Sequence, residues 1–354
     1  MKEKYTLIFF LVFISIKSQI TSQEIVGDWT KVKMRTLDGS KDLNEGYVRE
    51  KYYGWKITSS KLCFRNYPLS SEPNNCVDYT LNNNLLVNSP DSGYMIDKIT
   101  SDSLIVYESI KGKTEKDKIQ KIWFVKSSKI LKDNIEKHQN DSVLIATPNF
   151  TPTVRRSYNS EIEKKLLTSS FPRFTAKGNI LISPKLKKVE FQIDNKKFEN
   201  DKKFLILKNA VENSFDNWDL TNFNSFSKII IPLVFESMEE KSATGIFSRV
   251  EMYYFMDDVS DIPKVYGPKL EDLEKAREKF EKAIAYLKDK KYPQAIENFN
   301  KGFELNPAKV DALYNIVSIY SFLKDKENMC STLKRLKDLE QTAGTKLYDA
   351  YCIK

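Results

Sequence analysis

The sequence predicts a multidomain α+β protein. An antiparallel β barrel or sandwich comes first, then a small αβαββ domain, then an α-helical solenoid of about two repeats plus a capping helix. Three observations predict it. Apolar residues alternate in short runs over residues 25–125, follow mixed periods over 158–259, and repeat at helical spacing with a 34-residue period beyond 268. The 354 residues are 41% hydrophobic and 12% aromatic, enough apolar material for several cores, which excludes wholesale disorder.

The N-terminus carries Lys2, Glu3 and Lys4, then an apolar run over 5–16, then small and polar residues with candidate cleavage points at Ser18-Gln19 and Ser22-Gln23. That run falls short of the ~20 apolar residues that cross a bilayer. Residues 1–22 therefore read as a secretory signal peptide. No cysteine lies near enough to carry a lipid anchor, and no later segment approaches a membrane span. The expectation is an exported protein of a bacterial envelope: periplasmic, outer-membrane associated or secreted. Four cysteines fall as two local pairs, and export predicts the disulfides Cys63–Cys76 and Cys330–Cys352.

Residues 23–126 form the β domain. Strands are expected over 26–36, 47–57, 61–64, 77–81, 85–88, 94–99, 104–109 and 119–125, separated by turn sequences such as Asp38-Gly39 and Asn82-Asn83-Asn84. Gly27-Asp28-Trp29, with "YMIDKITSDSLIVYE" at 94–108, resembles the lipocalin-like domains of secreted bacterial proteins. The resemblance implies a barrel whose closed end is plugged by Trp29. It also implies a place for a small apolar ligand inside.

Residues 127–158 are polar, proline-punctuated and poorly periodic, and read as a linker in which His138 is solvated. Over 159–262 the expected order is helix (161–167), strand (187–198), helix (202–218), strand (228–236) and strand (245–256). Pro232 removes a ladder donor from the fourth element, which favours an edge strand or a bulge. "VEFQIDNKKFENDKKFLILKNAVENSFDNWD" at 189–219 and "KIIIPLVFE" at 228–236 resemble the C-terminal domain of TonB-type energy transducers. That resemblance implies capture of an extended receptor peptide at a sheet edge, placed at 228–236. The chain lacks the family's uncleaved membrane anchor and proline-rich spacer.

Residues 268–354 repeat most plainly. Tyr286 and Tyr320 are 34 apart, as are Leu313 and Leu347. Ala276, Ala283, Tyr286, Ala295, Phe299 and Pro307 follow the spacing of the tetratricopeptide repeat (TPR), which this segment resembles. The resemblance implies a concave groove lined by the first helix of each unit. Carried onto this chain, its positions are Arg277, Phe280, Ile284, Leu287 and Lys288, then Asp311, Tyr314, Ser318, Ser321 and Phe322. Phe280 and Ile284 stand where a carboxylate clamp needs lysine and asparagine, so an apolar helix or extended peptide suits the groove better. The same two side chains would otherwise bury against the β domain.

Catalytic chemistry is not expected. One histidine, no nucleophile elbow, no phosphate loop and no zinc spacing leave no catalytic or metal-ligating set, and no cofactor is implied. Asp257, Asp258 and Asp261 lack the spacing and central glycine of a calcium loop. The net charge is +9, but aromatics are not interleaved with the lysine runs, so nucleic acid is not the expected partner. The leading expectation is a non-enzymatic interaction protein that binds protein or peptide partners in the envelope. Its alternatives are a TonB-like component of receptor-coupled transport and a lipocalin-like carrier.

Overall fold

The computed structural model describes residues 20–43, 52–70, 75–155, 174–195, 197, 201–242, 245–262 and 267–353. The expected signal peptide up to residue 19, the expected helix at 161–167 and the start of the expected strand at 47–57 lie outside them.

A one-turn helix, α1 (Ser22–Ile25), leads into β1 (Gly27–Thr36), β2 (Gly54–Ile57), β3 (Lys61–Arg65), β4 (Asn75–Asp78), β5 (Thr80–Asn82), β6 (Leu85–Ser89), β7 (Ser92–Ile99), β8 (Ser103–Ile110) and β9 (Gln120–Lys126). They form one antiparallel sheet in the order β4-β3-β2-β1-β9-β8-β7-β6-β5. The first strand pairs with the last, so the sheet curls round on itself. Its ends, β4 and β5, are separated only by Tyr79, so one run of chain borders β3 with its first half and β6 with its second. The result is a near-barrel, in which curling leaves little unpaired edge. Cys63 and Cys76 are directly opposite across β3 and β4, and they are disulfide-bonded.

Alternation fills the near-barrel. On β9, Ile122 and Phe124 point in and are buried while Trp123 stays half-exposed. Trp29, Trp55 and Phe124 are fully buried, with the Trp55 ring 4.5 Å from Phe124 and 4.7 Å from Tyr94. The Trp29 indole N–H donates to the Ile25 carbonyl at 2.8 Å. The protein's own aromatics occupy the interior, which argues against the small apolar ligand expected there.

The stretch read as a linker is instead built into the next layer. It holds α2 (Ser127–Lys137), β10 (Val143–Ile145) and β11 (Thr153–Val154). Then come β12 (Phe174–Ser183), β13 (Lys188–Ile193), α3 (Lys202–Glu212), β14 (Trp218–Asp219), β15 (Lys228–Ser242) and β16 (Gly245–Tyr254). β15 is central: β12 flanks one side and carries β13 beyond it, while β10 (parallel) and β16 (antiparallel) share the other. β12 was not expected, because Gly178 leaves a gap in its buried face between Ala176 and Ile180, and Thr175, Lys177 and Asn179 make its other face polar. His138 is not simply solvated: its ring stacks on Phe150 at 5.5 Å and its Nδ1 lies 2.8 Å from Asp141.

The edge assignment of residues 228–236 is corrected by this topology. Pro232 lies in the middle strand, and its carbonyl accepts from the Phe255 N–H on the β16 side. In a strand a residue's N–H and C=O point the same way, so the missing donor faces the junction where β10 ends at Ile145 and β16 begins pairing at Leu233. A central strand tolerates proline there because no ladder bond is lost.

Asp258 caps a single 3₁₀ turn (Val259–Asp261) and pairs with Lys177 at 3.2 Å. Hydrogen bonds from the backbone and side chain of Ser260, then the Lys177 ammonium, hold its carboxyl down at about 2. No group of three metal-ligating side chains occurs among the described residues.

The near-barrel and the mixed sheet share a boundary. Leu69, from the chain between β3 and β4, is buried in the core of the mixed sheet, and its carbonyl accepts from Val154 N–H at 2.7 Å.

Candidate functional site

Five helices follow: α4 (Leu270–Lys288), α5 (Tyr292–Leu305), α6 (Asp311–Phe322), α7 (Lys326–Asp338) and α8 (Thr342–Tyr351). Small residues set the first pair's spacing. Ala276, Ala283, Ala295 and Gly302 are buried, and a Cβ on Gly302 would stand 3.3 Å from the Ala276 carbonyl. Larger side chains at 302 would push the helices apart.

The turns repeat as faithfully as the helices. Lys290 and Lys324, 34 residues apart, both adopt a left-handed conformation with φ 59°. Lys290 N–H bonds Leu287 O and Lys291 N–H bonds Tyr286 O; Lys324 bonds Ser321 O and Asp325 bonds Tyr320 O in the same register. Each is a Schellman ending, which satisfies the last carbonyls of one helix and reverses the chain into the next. Two units with the same turn, plus α8, make up the segment.

The ten groove positions divide into two sets. Phe280, Ile284, Leu287 and Tyr314 pack into the helices' own core, with Phe280 edge-on to Phe299 at 5.2 Å. Tyr314 Oη accepts the Gly344 N–H at 3.1 Å, and burial pushes its phenol pKa up. Arg277, Lys288, Asp311, Ser318, Ser321 and Phe322 are exposed. Arg277 reaches Glu281 at 3.9 Å, and the Ser318 hydroxyl turns back to the Tyr314 carbonyl.

Part of the helical surface is already taken. The end of β1 and the chain just after it, over residues 35–41, dock on the turn between α7 and α8. Arg35 pairs with Glu340 at 2.6 Å and Lys41 Nζ lies 3.6 Å from the same carboxylate. Lys41 N–H donates to Glu340 O, Gln341 Nε2 donates to Lys41 O, and Thr342 N–H donates to Ser40 Oγ. Ser40 and Gln341 are buried by this contact. A docking between residues some three hundred positions apart had no sequence signal.

The hydrogen bond from Arg35 chiefly holds the Glu340 carboxyl below the usual glutamate range, and the Arg35 and Lys41 charges add to it. A lowered folded-state pKa contributes stability above the unfolded value of about 4.3, lost as pH falls through the folded one. At this exposure the pair is worth less than ~1 kcal/mol. Glu340→Gln should therefore speed amide exchange at Lys41 and Thr342 by a few fold at neutral pH. The unaltered protein should lose the same protection, relative to the intrinsic rate at each pH, once acid protonates the Glu340 carboxyl. Unchanged exchange in both would show that the backbone bonds alone hold the contact.

What remains open lies at the other end of α6. A groove of about 300 Å³ is lined by Tyr320, Ser321, Lys324, Met329, Ala350 and Tyr351, with Lys326 at its rim. Exposed apolar side chains adjoin it in sequence: Phe322 (69% exposed), Leu323, Tyr351 and Ile353. Phe322 rests against Tyr292 at 5.5 Å. The Cys330–Cys352 disulfide joins the first turns of α7 to the end of α8, beside Met329 and Tyr351. Of the ten expected positions only Ser321 lines this groove, with Phe322 next to it. Met329, Ala350 and Tyr351 were missed because they lie outside the first helices of the two complete units.

Residues 310–342, which run from the start of α6 to the start of α8, match the tetratricopeptide repeat family. Comparison with curated proteins gives no match. The matched repeat associates this segment with protein–protein interaction.

Proposed function

We propose that the protein is an exported, non-catalytic interaction protein that binds a protein partner through the exposed end of its helical segment. One observation carries this reading: large apolar side chains stand exposed around a groove on a repeat whose family serves protein recognition. Lys324 and Lys326 beside that groove favour a partner with an apolar ridge and acidic flanks. Export is supported by the apolar run at 5–16 and by two disulfides. No described helix is long and apolar enough to cross a membrane. The β layers act as the mount, braced against the α7–α8 turn.

A test is crosslinked capture from envelope extracts by the unaltered chain and by a Phe322→Asp/Tyr351→Asp variant. One species should be recovered by the first and reduced at least about tenfold with the second, as loss of two interface anchors implies. Equal recovery would move the site off the helices.

A second reading rests on the mixed sheet. The β12–β13 hairpin, α3 and β15 give the strand order β13-β12-β15, which accords with the TonB-like resemblance. Among the described residues β13 pairs only with β12, and β10 and β16 only with β15, so this reading places strand addition at one of those outer strands and not at 228–236.

A further inference from the structure

A cleft of about 530 Å³ lies where the near-barrel meets α2 and the chain that follows β10, within the size range of small-molecule sites. It is lined by Gly27, Asp28 and Thr30 of β1, by Tyr52 and Arg65, by Lys126 and the first turn of α2, and by Asn149 and Thr151. The lining is mixed: Pro68, Ile130, Leu131 and Pro148 give it apolar surface, and its polar groups are two cations, one carboxylate (Asp28), hydroxyls and an amide.

The charges are placed by the fold. Lys126 Nζ donates to the Val26 carbonyl at 2.8 Å and sits 4.0 Å above the Trp29 ring. Gly27 makes room for it. Its φ of 142° disfavours side chains, and a Cβ there would run into the Lys126 ammonium. Arg65 Nη2 lies 3.5 Å from Asp28 Oδ1, so the guanidinium and carboxylate face the same space.

This combination selects among ligand classes. An apolar molecule would strip water from three charges without returning hydrogen bonds. A simple inorganic anion would meet Arg65 and Lys126 but is too small to reach the other lining groups. It leaves Asp28, which accepts hydrogen bonds and cannot donate them once ionised, and Asn149 without partners. A ligand that suits every wall carries one anionic group and several O–H donors. We infer that the cleft binds a small acidic saccharide, its carboxylate toward Arg65 and Lys126 and its hydroxyls toward Asp28, Asn149 and Thr151.

Calorimetric or NMR titration of the whole folded chain tests this, with D-glucuronate, D-glucose, inorganic phosphate and L-alanine as probes. Glucuronate should bind about tenfold or more tightly than each of the others, as one charge-assisted hydrogen bond is worth. Arg65→Met and the exposed-loop variant Asn149→Ala should each weaken it severalfold, the second without lowering the melting temperature. Phosphate, glucose or alanine binding as tightly as glucuronate would overturn the assignment. So would absence of binding by any probe, or unchanged binding in Asn149→Ala.

Discussion

Trp55→Ala is expected to destabilise the near-barrel by about 3–5 kcal/mol, the usual cost of emptying a large aromatic site in a core. The indole is fully buried. It packs against Phe124 and Tyr94 within 5 Å and edge-on to Phe64 at 6.4 Å, so β2, β3, β7 and β9 all lose contacts at once. Four stiff strands cannot collapse onto the void, which keeps the cost at the upper end. Trp123→Ala is the control, because that ring faces outward between Lys33 and Lys121, 5.0 and 5.4 Å from their ammonium groups. Its loss should cost no more than about 1 kcal/mol. Denaturant unfolding followed by aromatic circular dichroism separates the two. Equal costs would mean that the interior is not packed as described.

Replacing Cys330 and Cys352 with serine should cost about 3 kcal/mol and act locally. The two cysteines are 22 residues apart, and closing a loop of that size restrains the unfolded chain by roughly that amount. A solenoid of two units has few stacking interfaces to share the loss. Without the bond, α8 is held by Gly344 packed on Leu336, by Tyr348 in the helical core, and by Lys337–Asp349 at 2.7 Å. We expect α8 to fray first, lowering the helical melting temperature while the near-barrel's transition stays in place. Partner capture should fall in parallel, since Ala350 and Tyr351 form one side of the groove. A variant that melts and binds like the unaltered protein would remove the disulfide from the account.

Much of the local structure was legible in the sequence. Strand alternation over residues 94–97 marks the near-barrel, because a half-buried strand writes its inside and outside into every second residue. Over residues 31–35 a bulge breaks the period, burying Lys31 and exposing Val32. The 34-residue repeat was equally plain, since Ala283, Ala295 and Phe299 must recur wherever helices approach closely. Long-range order was not legible. Nothing local in 228–236 says that β10 and β16 share one flank of β15, which is what lets Pro232 sit in a central strand. Residues 127–155 read as linker because their strands are two and three residues long, too short to show a period. The groove beside Ser321 escaped notice for a different reason: it depends on where α8 ends relative to α6, which the Cys330–Cys352 disulfide and the Gly344 N–H on Tyr314 Oη help to set.

The most direct measurement is site-specific photo-crosslinking in envelope extracts, with the photoreactive residue at Phe322, at Tyr351, or at the exposed Leu186 of the mixed sheet. Positions 322 and 351 should label the same protein, and 186 should not. Labelling from 186 with none from 322 or 351 would place recognition on the β layers and contradict a site on the helices.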